Sequence, residues 1–200
     1  SLLNEGGHLE RRRTGGGAVY HDLGNLNLSF IADKKIYDVK KQMQVIQKAL
    51  LNFNLETEVS GRNDITYQGR KFSGNAFAKT KYQGLHHGTI LIKTDGERLQ
   101  KYLKVKPAKL HKHGVKSVAS RVINLSEVAE ITSENITPHL IKAFEEVYQD
   151  TATIINFNDL CNEEAIKLSQ KISSDEYLFG KWKEFHTNKS ETFDWGSVDI

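Results

Sequence analysis

An α+β fold, with a largely antiparallel or mixed sheet flanked by helices, is what this 200-residue sequence predicts. Short β-favouring runs follow one another at hairpin spacing, and amphipathic helical segments interrupt them irregularly. The regular strand–helix alternation of a doubly wound parallel sheet is missing.

In chain order, Ala18 to Tyr20 and Leu26 to Ala32 are apolar and rich in β-formers, so they read as strands around an Asp22 to Asn25 turn. Asp38 to Asn52 reads as a helix, because Val39, Met43, Ile46, Leu50 and Leu51 recur on one face with lysines opposite. Thr57 to Ser60 and Ile65 to Gln68 are short strands separated by a polar turn. Phe72 to Lys79 and Thr89 to Lys93 form a longer antiparallel pair joined through Gln83-Gly84, and Glu97 to Leu103 is a short helix. Pro107 to Gly114 is basic and irregular, the pattern of a mobile surface loop. Thr132-Ser133-Glu134-Asn135 supplies helix-start chemistry for a segment reaching Tyr148, with Ile136, Leu140, Phe144 and Val147 inward. Thr153 to Ile155 reads as a strand and Asn158 to Ile172 as a further helix.

The bulk numbers set bounds. An apolar fraction of 38% and a charged fraction of 26% are ordinary for a globular protein, enough for one domain with a substantial core and a small appendage. No apolar stretch is long enough for a membrane span, and the first residues lack a signal-peptide pattern. The single cysteine, Cys161, forms no internal disulfide, in keeping with a reducing cytoplasm. A net charge of +3 is too small to argue for nucleic acid.

Arg11-Arg12-Arg13-Thr14-Gly15-Gly16-Gly17-Ala18-Val19-Tyr20-His21-Asp22 is the most informative stretch. Three glycines remove every Cβ from a short segment, so an anion can approach the amide N–H groups, and guanidinium groups stand just upstream. It is neither a Walker A loop nor a dinucleotide fingerprint, since the spacings of both are missing. Asn63 and Asp64 form a compact oxygen-ligand pair beside a glycine turn, suited to Mg²⁺ at Asp64 or simply to turn chemistry. The adjacent His86 and His87 point to opposite faces of a strand and have no cysteine pair, which argues against zinc. Arg70 and Lys71 alternate in the same way, so Lys71 is separated from its neighbour.

The glycine run is followed by Gly61-Arg62-Asn63-Asp64-Ile65, then by Gly69-Arg70-Lys71-Phe72-Ser73-Gly74-Asn75-Ala76. After these come His86-His87-Gly88-Thr89-Ile90-Leu91 and Lys116-Ser117-Val118-Ala119-Ser120-Arg121-Val122-Ile123-Asn124-Leu125. In this order they closely resemble the lipoate–protein ligases, within the wider lipoyl and biotinyl ligase superfamily. The strong motifs run from Leu9 to Leu125, with weaker likeness to Trp195-Gly196.

The resemblance implies a catalytic domain over residues 1–200, of the class II synthetase and biotinyl-ligase type. It implies that a further helix and strands precede the glycine loop in family members and that a small accessory domain often follows. The implied activity is ATP-dependent attachment of lipoate, through lipoyl-AMP, to a lysine of lipoyl domains of 2-oxoacid dehydrogenase complexes or of glycine-cleavage H protein. ATP and Mg²⁺ are the implied cofactors, with no nucleic acid or membrane partner.

By the same match, Lys71 is the catalytic residue, contacting both nucleotide and acyl group. Arg12 meets the phosphate end of ATP, and Gly17, Ala18, Val19 and Tyr20 cradle the nucleotide. From the residues themselves, Gly16, Gly74, Asn75, His21 and His87 are the candidates for the acyl substrate, the histidines serving either there or as turn caps, and Asp64 is the candidate metal contact or a turn residue. Arg121 and Asn124 brace the architecture. Two other readings stay open: an acyltransferase that takes a preformed adenylate, and a non-catalytic module that binds lipoate or lipoyl domains. A thiolate transferase would need Cys161 in the acyl site, yet it stands away from every motif.

Overall fold

The computed structural model describes residues 2–61, 63–103, 121–160, 162–180, 190–193 and 196–199. The chain forms two compact units, one of residues 12–154 and one of residues 1–11 with 155–200.

The larger unit holds a five-stranded sheet. Its strands are β1 (Asn25–Asp33), β2 (Glu58–Ser60), β3 (Asp64–Tyr67), β4 (Arg70–Lys79) and β5 (Gln83–Leu91), in the order β1-β5-β4-β3-β2. Among the described residues every ladder is antiparallel, and the parallel contact is an isolated bridge between Lys71 and Val122. α1 (Val39–Leu51) starts where the Asp38 carboxylate accepts hydrogen bonds from the Lys40 and Lys41 amides. Its Met43, Ile46 and Leu50 bury against Ile65, Phe72 and Ile90 of the sheet and against Ile123, Leu125 and Ile136. α2 is short (Gly96–Tyr102). α3 (Ser133–Tyr148) opens with a reciprocal Thr132–Asn135 capping box and packs Ala143 on Val45 and Ala49 of α1. One sheet face is therefore covered by helix, while Lys71, Gly74, Ala76, His87 and Ser29 lie on the other.

The smaller unit contains a 3₁₀ turn (Leu3–Glu5), the helices α4 (Phe157–Leu160), α5 (Glu163–Ile172) and α6 (Asp175–Phe179), and the hairpin β6 (Ser190–Phe193) with β7 (Gly196–Asp199). The Arg11 guanidinium donates to the Leu178 carbonyl within it, at 3.0 Å from Nε.

Several elements differ from the sequence reading. Ala18 to Tyr20 is no strand, because it has no ladder partner among the described residues. β5 begins at Gln83, so the β4–β5 turn is Thr80 to Tyr82, closed by the Thr80 hydroxyl on the Gln83 amide. Thr153 to Ile155 is irregular, and the expected Asn158 to Ile172 helix is two helices, the second capped anew by Asn162. Leu51 is exposed, whereas Gln42 is fully buried on the apolar face of α1. The Pro107 to Gly114 loop, Cys161 and the start of the Lys116–Leu125 motif lie outside the described residues.

Candidate functional site

The glycine loop is held from within. Nη2 of Arg12 donates to the Gly17 carbonyl at 2.6 Å, and Gly16 takes a φ of +112°, which suits a residue without Cβ. Among the described residues, no acceptor takes the main-chain N–H groups of Gly15, Gly16, Gly17, Ala18 or Val19. Five consecutive free donors beside a guanidinium are the makings of an anion cradle. Tyr20 stacks on Tyr102, with ring centroids 5.7 Å apart. The loop ends at Asp22, whose carboxylate accepts from the Gly24 and Asp95 amides at 2.9 and 2.8 Å and so ties the loop to the start of α2.

The loop meets the sheet at Thr14, 9% exposed, whose hydroxyl lies 2.6 Å from Nε2 of His87. Burial, then the charges of Arg12 and His21, lower the His87 pKa, which favours the neutral ring, and its Nε2 shares one hydrogen bond with the Thr14 hydroxyl. Arg12, Thr14, Gly16, Gly17 and His87 thus form one cluster, with exposed His21 close enough to act on His87 by its charge.

A second cluster sits one side-chain repeat along the same face. Asp64 pairs with Gly74 and Ile65 with Ser73, but Thr66 pairs with Lys71, so Phe72 is an extra residue bulged out of register. Strict alternation would put Lys71 and Gly74 on opposite faces; the bulge puts them on one. A Cβ on Gly74 would stand 3.0 Å from both Cε and Nζ of Lys71, so the lysine stem lies across the glycine. Nζ reaches Oδ1 of Asp64 at 2.7 Å, with both side chains half-exposed. This is a charge pair without a directed hydrogen bond, since enclosed Oδ1 has no hydrogen-bond partner among the described residues. The Lys71 carbonyl freed by the bulge accepts from the Ile123 amide at 3.0 Å. Arg70 turns away to the Val122 carbonyl and Glu127.

His87 pairs with Ala76, so it is a diagonal neighbour of Gly74, about 7–8 Å away along the face. The two clusters therefore border one patch of open sheet floored by Gly74, Ala76 and Ala78.

Asn75 faces the other way. Its amide is buried and engaged with Asn63, Ser73 and His86. Asn124 holds the Thr94 amide and carbonyl, an architectural role as expected. The sequence reading passed over Thr14 and Gln42. A glutamine in the apolar stripe of a helix is the signal that pointed to the latter.

Among the described residues, no three His, Cys, Asp or Glu side chains gather as a metal-ion site. The donor set fits only a magnesium ion that arrives on phosphate oxygens and takes one carboxylate oxygen from Asp64.

Comparison with known proteins bears on this arrangement. A lipoate-protein ligase A of Psychrobacter cryohalolentis is 37% identical over 96% of this chain and 59% of its own length. P. falciparum LipL1, solved with lipoate, is 36% identical, with a TM-score of 0.76 over 99% of this chain and 59% of that one. A bipartite lipoate protein ligase of Thermoplasma acidophilum, solved in work on it and its E2 lipoyl domain, is 26% identical, with a TM-score of 0.77 over 93% and 76%. A lipoate-protein ligase A with bound ATP is also 26% identical, with a TM-score of 0.74 over 90% and 74%. The chain spans about three-fifths of the length of its curated relatives. The family model for the lipoyl protein ligase A/B catalytic domain matches residues 1–145, and the chain belongs to that family.

Proposed function

We propose that the protein activates lipoate with ATP and passes the acyl group to a lysine of an acceptor protein. One observation carries the reading: Lys71 is brought by the β4 bulge onto the same open face that His87 shares with the glycine loop. In the first step the lipoate carboxylate attacks the α-phosphorus, the bond to the β-phosphate oxygen breaks, and lipoyl-AMP and pyrophosphate form. Two anions must meet, and the Lys71 ammonium between them offsets the charge that moves in the transition state. Arg12 and the free amides of Gly15 to Val19 hold the phosphates, while Gly74, Ala76 and Ala78 leave room for the acyl chain. A magnesium ion at Asp64 would neutralise phosphate charge.

In the second step the acceptor amine attacks the acyl carbon and the C–O bond to AMP breaks, giving the amide and a released proton. Deprotonating that amine at neutral pH costs roughly 4–5 kcal/mol, which proximity to a reactive anhydride offsets. The acceptors are the lipoyl domains of 2-oxoacid dehydrogenase complexes and glycine-cleavage H protein, in the cytoplasm. The ATP-bound neighbour and the ligase studied with its E2 lipoyl domain support this reading. The catalytic unit is assigned to residues 1–200.

Lipoate-dependent ATP–pyrophosphate exchange with Mg²⁺ tests it, on this chain and on the product of its whole reading frame. Exchange that requires lipoate supports acyl adenylation. Its absence from both would overturn the proposal in favour of transfer from a preformed adenylate or binding alone.

A further inference from the structure

On the covered side of the sheet lies a polar chain that the reaction above does not use. His86 is 0% exposed, packed between the rings of Phe30 and Phe77 with centroids 5.3 and 4.8 Å away. Its Nε2 lies 2.8 Å from Oδ1 of Asn75 and its Nδ1 3.1 Å from the Gln42 amide of α1. Asn75 is bound to Asn63 by three hydrogen bonds. Its main-chain N–H and its Nδ2 both donate to the Asn63 carbonyl, at 2.8 and 3.1 Å, and Nδ2 of Asn63 donates back to the Asn75 carbonyl at 2.9 Å. Asn63 immediately precedes Asp64, the partner of Lys71.

The chemistry fixes the direction of this chain. Nδ2 of Asn75 is committed to Asn63 and Ser73, so Oδ1 faces the imidazole and Nε2 carries the proton. Nδ1 is then an acceptor, and the Gln42 amide must present its NH₂ group there. This is the reverse of the placement with Oε1 of Gln42 toward Nδ1 of His86, in which the glutamine Nε2 lacks a hydrogen-bond partner among the described residues. Exchanging its ends turns the Gln42 carbonyl toward the Tyr148 hydroxyl, which that amide already approaches. The strand makes room for the arrangement, since a Cβ on Gly88 would stand 2.1 Å from Oδ1 of Asn75.

Apolar side chains would fill this volume at no polar cost. A satisfied buried network, however, permits one geometry where an apolar core permits several. We infer that His86 is a positioning residue for the Lys71 site: through Asn75 and Asn63 it fixes the place of Asp64, and thereby of the lysine ammonium. For its effect on rate the inference rests on the adenylation reading, and for its effect on structure it does not.

His86→Leu removes both bonds, whereas His86→Gln retains a donor for Oδ1 of Asn75. Two readouts apply: hydrogen exchange of the Asn75 amide against that of Ile90 at the far end of the β1–β5 ladder, and kcat for lipoate-dependent pyrophosphate exchange. In His86→Leu we expect Asn75 to exchange about tenfold faster relative to Ile90. We also expect kcat to fall by about tenfold or more with KM for lipoate nearly unchanged, and both to return toward wild type in His86→Gln. Equal acceleration at the two amides, an unchanged kcat despite local loosening, or no rescue by glutamine would overturn the inference. Should His86→Leu fail to fold, Gln42→Met gives the same comparison of amides. If neither wild-type form shows lipoate-dependent exchange, the adenylation reading falls on that result alone. Loosening confined to Asn75 then still upholds the positioning role, and uniform loosening still overturns it.

Discussion

In the proposed reaction Lys71 and Gly74 act as a pair, one supplying charge and the other space. Replacing Lys71 with alanine removes the cation between two anions, and lipoate-dependent pyrophosphate exchange should fall by about 10²-fold or more. Near wild-type exchange by that variant would remove Lys71 from the reaction. Gly74→Ala tests the space: its new Cβ would push the lysine end rather than backbone. Unfolding should therefore stay close to wild type while exchange falls by about tenfold to 100-fold, the cost of misplacing a reacting group. A drop in the denaturation midpoint that accounts for the lost activity would instead make Gly74 a packing residue.

At the scale of elements, the β4 bulge and the start of α1 decide what stands where. The bulge turns the alternation of β4 by one residue, so Phe72 and Ser73 are buried in succession and Lys71 joins the open face. α1 covers the opposite face and anchors the chain to His86 through Gln42. Its first turn depends on the Asp38 carboxylate, which satisfies two otherwise unpaired amides. Asp38→Ala should cost about 1 kcal/mol, read as a lower urea midpoint at unchanged slope. A shift within error would show that packing alone holds the helix start.

For the molecule as a whole, the buried histidine links stability to pH. Burial first, and then neighbouring His87, pushes the His86 pKa down from 6.5 to about 4. Below pH 6.5 the unfolded chain binds a proton that the folded protein refuses until about pH 4, so the unfolded state gains as pH falls. This group's share of stability is intact above the unfolded value and is lost across that window, about 3 kcal/mol in all. His87 is shifted in the same direction and adds to the slope. Urea titrations from pH 7 to pH 4 should show the decline, and His86→Gln should flatten it. An equal slope in the variant would assign the acid sensitivity elsewhere.

By itself the sequence determined the α+β class, α1, α3, the short strands β2 and β3 on either side of a polar turn, and the family, because helix periodicity, capping residues and ordered motifs are local properties. It also marked Arg12, the glycine loop and Asp64, whose residue types announce anion and cation chemistry, and it marked Lys71 through the family motif in which it stands. Tertiary structure alone decided the rest. Ala18 to Tyr20 has the composition of a strand, but a strand exists only where an edge accepts its hydrogen bonds. Gly84 resembles a turn, yet it pairs on both sides because β1 and β4 flank it. Asn75 stands among motif residues but turns inward, since a partner 11 positions away at His86 takes its carbonyl. The bulge that unites Lys71 with Asp64 and Gly74 leaves no local trace. Which face a side chain takes depends on register with the neighbouring strand, and register is settled only when the sheet is assembled.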